Sequence, residues 1–122
     1  MHFTKGTSAF LLCSVLSAFS KIYGNEASLI QKDGESREEF LTRVKKRRQS
    51  YAKPLMKNID IIMCELAKKE TKTNSAGVFE SADKTKQIGF TVAYYMNRRD
   101  SFHVFLEDPE VPSDSNAVER TI

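Results

Sequence analysis

The sequence predicts an all-α fold, a small bundle of about four or five helices, on three observations. Apolar residues recur at three- and four-residue spacing in four separate stretches, the period of one helix face. Turn breakers are scarce, with 5 Gly and 3 Pro in 122 residues. No stretch reads as a strand. A single domain of this length buries roughly two-thirds of the surface its unfolded chain exposes, enough for one modest core.

The first helix is predicted over residues 7–30, where Leu12, Leu16, Phe19, Tyr23, Ala27 and Ile30 share a face, and Gly34 ends it. Ser36-Arg37-Glu38-Glu39 has the spacing of a capping box, with the Ser36 hydroxyl on the Glu39 amide and the Glu39 carboxylate returned to Ser36. A second helix follows to about residue 50. Pro54 disfavours helical geometry at Lys53 and suits a first helical turn, which predicts a break or kink over residues 51–53.

Leu55, Ile59, Ile62 and Leu66 form the next apolar stripe, broadened by Met56, Ile61 and Met63, so this helix is expected at the centre of the core. Residues 71–82, rich in Thr, Asn, Ser, Gly and Lys, read as a loop with a short turn at residues 78–80. Ile88, Val92, Tyr95 and Met96 mark a fourth helix, and Phe102, Phe105 and Leu106 a short fifth one after a bend at residues 97–100. Asp108-Pro109 closes it. Asn116-Ala117-Val118-Glu119 has the spacing of a further helix start, with Asn116 as cap and Glu119 near the positive helix end.

With 40% hydrophobic and 29% charged residues, the chain is too apolar for general disorder. A net charge of +3 is compatible with a nucleic-acid partner without requiring one. The charge is concentrated in Arg43-Val44-Lys45-Lys46-Arg47-Arg48, preceded by Glu35, Glu38 and Glu39. Two readings stay open for that run: a solvated helix face, supported by Glu39 four residues before Arg43, or a phosphate-contacting patch.

Cys13 and Cys64 lie among apolar residues without ligand spacing and read as buried free thiols in a reducing compartment. His2 and His103 are isolated and suggest no metal site. The apolar segment at residues 8–19 has the character of a signal-peptide core but is too short to span a membrane. Its helical spacing runs on through Tyr23 and Ala27, so a core helix and a cytoplasmic location without a membrane partner are expected. Export, with removal of residues up to about Ser20, is the alternative.

Four separate stretches resemble transposases of the insertion sequence 66 family. The tail Asp114-Ser115-Asn116-Ala117-Val118-Glu119-Arg120-Thr121-Ile122 is similar to the family's Asp-Asn-Asn-x-Ala-Glu-Arg-x-Ile motif. Lys84 to Arg98, through Ala93, Tyr94 and Asn97, is similar to its "lysine, small, alanine, tyrosine, leucine, asparagine" helix, followed by residues 102–108 as that helix's partner. Lys21-Ile22-Tyr23 with Glu26, and Arg48-Gln49-Ser50 with Pro54-Leu55, resemble its "leucine-tyrosine…glutamate" helix and its "arginine-x-x-serine-x-proline" turn. The order and spacing of the four make the resemblance fairly specific over residues 16–122.

The resemblance implies a single partial domain over residues 1–122. The helical insertion of a ribonuclease-H-like catalytic domain would occupy about 7–107, and a loop with the start of the Glu-bearing helix about 108–122. It further implies DNA as partner, and DNA cleavage and strand transfer in transposition, dependent on Mg2+ or Mn2+ held by an Asp-Asp-Glu site. Glu119 matches the third acid, catalytic and metal-binding. Arg43, Lys45, Lys46, Arg47, Arg48 and Arg120 are the candidate phosphate contacts.

Two departures stand out: Ser115 replaces the first Asn of the motif, and no acidic residue here matches the two Asp-bearing strands. Clamping two hard divalent ions takes several oxygen ligands, so one Glu is not a site. The sequence therefore predicts a transposase remnant without autonomous activity or bound metal, able to self-associate or to bind a full-length transposase. A small helical module that binds nucleic acid or protein is the alternative.

Overall fold

The computed structural model describes residues 7–111, and these form five α-helices and one small hairpin. Helix α1 spans Ser8–Ala27 and begins at Thr7, whose hydroxyl accepts from the Phe10 amide at 3.2 Å. It ends three residues before Ile30, because Ser28 closes it: the Ser28 amide turns back to Asn25 and Glu26, and its hydroxyl donates to the Asn25 carbonyl at 2.6 Å. Ile30, expected on the apolar face, is left exposed. Helix α2 spans Arg37–Arg47 and carries the predicted capping box, with both reciprocal bonds formed between Ser36 and Glu39.

The break or kink expected over residues 51–53 takes the form of a widened turn and not of a chain break. Residues Arg48–Ala52 form a π-helical turn that runs directly into α3, Lys53–Glu70. Pro54 gives the reason. Its ring has no N–H and crowds the carbonyl four residues back, at Ser50, so the backbone widens by one residue and the Lys53 amide bonds five residues back to Arg48. The added residue also keeps Val44, Ala52, Met56 and Ile59 on one buried face.

After α3 come β1, Thr71–Thr73, and β2, Phe79–Ser81, paired antiparallel with Thr71 opposite Ser81 and Thr73 opposite Phe79. This segment was expected to be a loop with a short turn at residues 78–80, without strands. The Asn74 side chain organises the tip by accepting from the Ala76 and Val78 amides at 2.9 and 3.0 Å, while Gly77 takes the left-handed φ of 79°. Helix α4, Gln87–Asn97, lies on the hairpin, and α5, Arg99–Glu107, follows after the single residue Arg98.

Gly89 is where α4 meets the hairpin: a Cβ there would stand 2.9 Å from the Glu70 carbonyl oxygen and strike the Ser81 hydroxyl. At the other end of α4, the Asn97 side-chain amide both accepts from the Phe79 amide and donates to the Phe79 carbonyl, each at 2.9 Å, as a further strand would.

The core lies among α1, α3, α4 and α5. Val15, Phe19 and Ile22 meet Met56, Ile59, Met63 and Leu66, with Val92, Tyr95, Phe102, Phe105 and Leu106 closing the cluster. Phe102 is its aromatic centre, stacked on Tyr95 at 5.2 Å between ring centroids and tilted against Phe19 at 5.9 Å. Burial of this set supplies the driving force for the bundle.

The expectations for Ile61 and for the two cysteines are corrected. Ile61 points outward at 56% exposure, on the far side of α3 from Ile59 and Met63. Cys13 is exposed and Cys64 only half-buried, because each sits beside its helix's core stripe rather than on it. No helix among the described residues is long and apolar enough to cross a membrane.

Candidate functional site

The basic run does not act as one patch, since helical geometry sends its side chains in different directions. Arg43 turns back toward α1 and forms a bidentate pair with Glu35, Nε to Oε2 at 2.9 Å and Nη2 to Oε1 at 3.0 Å, while Nη2 also donates to the Ile30 carbonyl at 2.7 Å. That guanidinium, helped by the Lys32 amide, holds the Glu35 carboxyl down at about 2. Arg47, one turn on, donates to Asn25 Oδ1 at 2.8 Å and lies 4.8 Å over the Tyr51 ring. Lys45 and Lys46 face solvent, and among the described residues neither forms an ion pair.

Arg48 points into the protein and is 5% exposed. Its Nη2 meets Glu26 Oε1 at 2.6 Å, and its Nε reaches both Glu26 oxygens at 3.1 Å. The remaining nitrogen, Nη1, donates to three backbone carbonyls: Phe105 at 2.8 Å, Asp108 at 3.2 Å and Val111 at 2.8 Å. The guanidinium also lies 5.1 Å from the Phe105 ring centre. Beside it, Gln49 Nε2 donates to the Leu106 carbonyl at 2.8 Å.

Two neighbouring side chains of the π turn thus satisfy the carbonyls that the end of α5 leaves without helical donors, and a cation sits at the negative end of that helix. Arginine suits the position. Its rigid fork serves a carboxylate on one edge and carbonyls on the other, where an ammonium would act as a point charge.

A second cluster involves the first half of α5. Asp60 of α3 accepts from Arg99 Nε at 2.6 Å and from the Tyr95 hydroxyl at 2.9 Å, and its other oxygen pairs with Arg99 Nη2 at 2.5 Å. His103 Nε2 stands 3.7 Å from Asp60 and 3.3 Å from the Tyr95 oxygen. Arg99 holds the Asp60 carboxyl below the usual range against its partial burial, and burial with the Asp60 contact pushes the Tyr95 phenol up.

The described residues do not fit a metal centre. No three His, Cys, Asp or Glu side chains among them converge as a ligand group, and Glu26, Glu35 and Asp60 each face an arginine. Glu119 and Arg120, like His2, lie outside the described residues.

A family model described as "Transposase IS66 family" matches residues 5–122, nearly the whole chain and both partners of the Glu26–Arg48 pair. The chain belongs to the IS66 transposase family. No curated protein and no solved structure matches it. The stretches that resemble IS66 motifs gain a physical meaning in this fold. The motif Glu on α1 and the motif Arg at the π turn are two halves of one ion pair, and the motif Asn at the end of α4 ties down the hairpin. Spacing did not mark Gln49, Asp60 or His103, because their partners lie 57, 35 and 8 residues away on other turns or helices.

Proposed function

We propose that this stretch is the helical insertion of an IS66 transposase catalytic domain with the start of its acid-bearing segment, and that Glu119 is the third carboxylate of the Asp-Asp-Glu site. The observation that carries this is the family match running through Ile122 across the tail motif. Mg2+ or Mn2+ would be the metal, and DNA cleavage and strand transfer in transposition the reaction. Glu26, Glu35 and Asp60 each face an arginine, and no group of three His, Cys, Asp or Glu among the described residues could hold a metal, so the other ligands would come from the two Asp-bearing strands. The 122 residues alone are therefore inactive in strand cleavage.

The DNA on both sides of the reading frame tests this directly. Coding sequence for the two Asp-bearing strands upstream is the expected result. Flanks with no trace of those strands would overturn the reading of a transposase remnant.

A second reading, nucleic-acid binding by the bundle itself, has one observation in its favour: Lys45 and Lys46 are solvent-facing cations without partners among the described residues. Two phosphate contacts contribute about 2 to the slope of log affinity against log salt. Reversing both lysines to Glu should abolish that much of the slope. An unchanged slope removes this reading.

A further inference from the structure

We propose that Arg48, aided by Glu26 and Gln49, is a positioning residue that fixes where the chain leaves the bundle after α5. This rests on the reading of Glu119 as the third acid, because the segment that leaves is the one leading to it. Three observations support the assignment.

First, Arg48 is buried although it belongs to the most cationic run of the chain, so its guanidinium is withheld from solvent and from phosphate. Second, its bonds go to what an exit needs held. Phe105 is in the last turn of α5, Asp108 is the first residue past it, and Val111 is the last residue before the segment that contains Glu119. One nitrogen holds all three carbonyls, while the other edge of the fork is anchored on Glu26 of α1, 22 residues earlier in the chain. Third, the π turn sets the clasp in place. Arg48 opens it one turn after buried Val44, and Gln49 beside it donates to the Leu106 carbonyl between the Arg48 contacts.

The exposed pairs Arg37–Glu110 at 3.8 Å and Lys53–Glu107 at 3.9 Å flank the same strap and are too loose and solvated to fix it. From Val111 to Glu119 the chain can reach at most about 28 Å at full extension, so the exit point limits where the carboxylate can be presented. Misplacement of a reacting group by about 1 Å can cost about 100-fold in rate, which makes such a clasp consequential without touching DNA.

Distance measurements between spin labels on the 122-residue chain test this, with Cys13 and Cys64 replaced by Ser. One label pair, at Ser20→Cys and Glu110→Cys, reads the exit strap against α1; a second, at Ser17→Cys and Lys57→Cys, reads α1 against α3. All four positions are exposed.

In the parent both pairs should give a single narrow distance. Arg48→Met should broaden or displace the strap distance and leave the α1–α3 distance narrow, and Arg48→Lys should fall between the two. A strap distance unmoved by Arg48→Met, or equal broadening of both pairs, overturns the proposal, the latter by making Arg48 a general stabiliser.

Strand cleavage by an IS66 transposase carrying this stretch separates the two layers. Arg48→Met should slow cleavage by about 100-fold with DNA affinity unchanged. Full activity of Glu119→Gln would refute the reading of that acid while leaving the distance result standing.

Discussion

Arg48 and Arg99 each pair with a carboxylate on another helix, and the contrast between them separates a structural clasp from a surface brace. The Arg48 and Glu26 side chains are 6% and 14% exposed, and the Arg48 fork also carries three carbonyls. Arg99 and Asp60 are 45% and 19% exposed, and the geometry of their pair is just as close. Distance alone would rank the two pairs together. Burial divides them: breaking a buried pair leaves a charge with no solvent to receive it, whereas a half-exposed pair is screened and its members rehydrate.

Removing one partner from each pair should produce very different losses of stability. Glu26→Gln leaves the Arg48 cation buried against a neutral amide and should destabilise by about 3–5 kcal/mol in chemical denaturation, the range for an orphaned buried charge. Asp60→Asn should destabilise by no more than about 1 kcal/mol, because Arg99 can turn to water. Equal losses at the two sites would show that the burial argument is wrong.

Gly89→Ala provides a scale between them. The added methyl meets the Glu70 carbonyl, which is fixed backbone, so α4 must lift from the hairpin, at about 1–3 kcal/mol by the usual cost of overpacking. A melting temperature at or above the parent's would show that the contact yields freely.

Acid should weaken the Asp60–Arg99 and Glu35–Arg43 pairs progressively. The Asp60 and Glu35 carboxyls are both held below their ordinary values of 3.8 and 4.5, Glu35 at about 2. A lowered folded value means that the unfolded chain takes up the proton first, so each contribution is complete above the ordinary value and is lost as pH falls through the folded one. The urea midpoint should therefore decline from about pH 5 toward pH 2. In Asp60→Asn the decline should be shallower, and an unchanged slope would contradict the role given to Arg99. The smallest effect is expected from Lys45→Ala, a solvated position, where surface substitutions usually stay within about 0.5 kcal/mol.

What the sequence revealed follows from the range of the interactions. The Ser36 to Glu39 capping box, the stripe from Met56 to Leu66 and the short helix around Phe102 are set by neighbours within one or two turns, and each was legible from spacing. The inward turn of Arg48 was not. Its partners lie 22 to 63 residues away, and beside four other cations it read as one more surface charge.

Pro54 was recognised as a disturbance, but the chain has two ways to accommodate a missing donor, a break or a widened turn, and tertiary packing of Ala52 and Met56 selects the second. The hairpin escaped because its strands are three residues each and gain their stability from Asn97 and from contact with α4. Of the candidate site, only the family resemblance pointed to Glu119; no local pattern distinguishes a metal-binding Glu from a helix-start Glu.

The role of Glu119 is tested by metal-dependent DNA cleavage by an IS66 transposase carrying this stretch, compared with the same protein bearing Glu119→Gln. Loss of cleavage in Mg2+ and Mn2+, with DNA affinity and melting temperature unchanged, is expected if Glu119 is the third acid. Cleavage retained by Glu119→Gln would contradict it and return Glu119 to an ordinary residue of the tail.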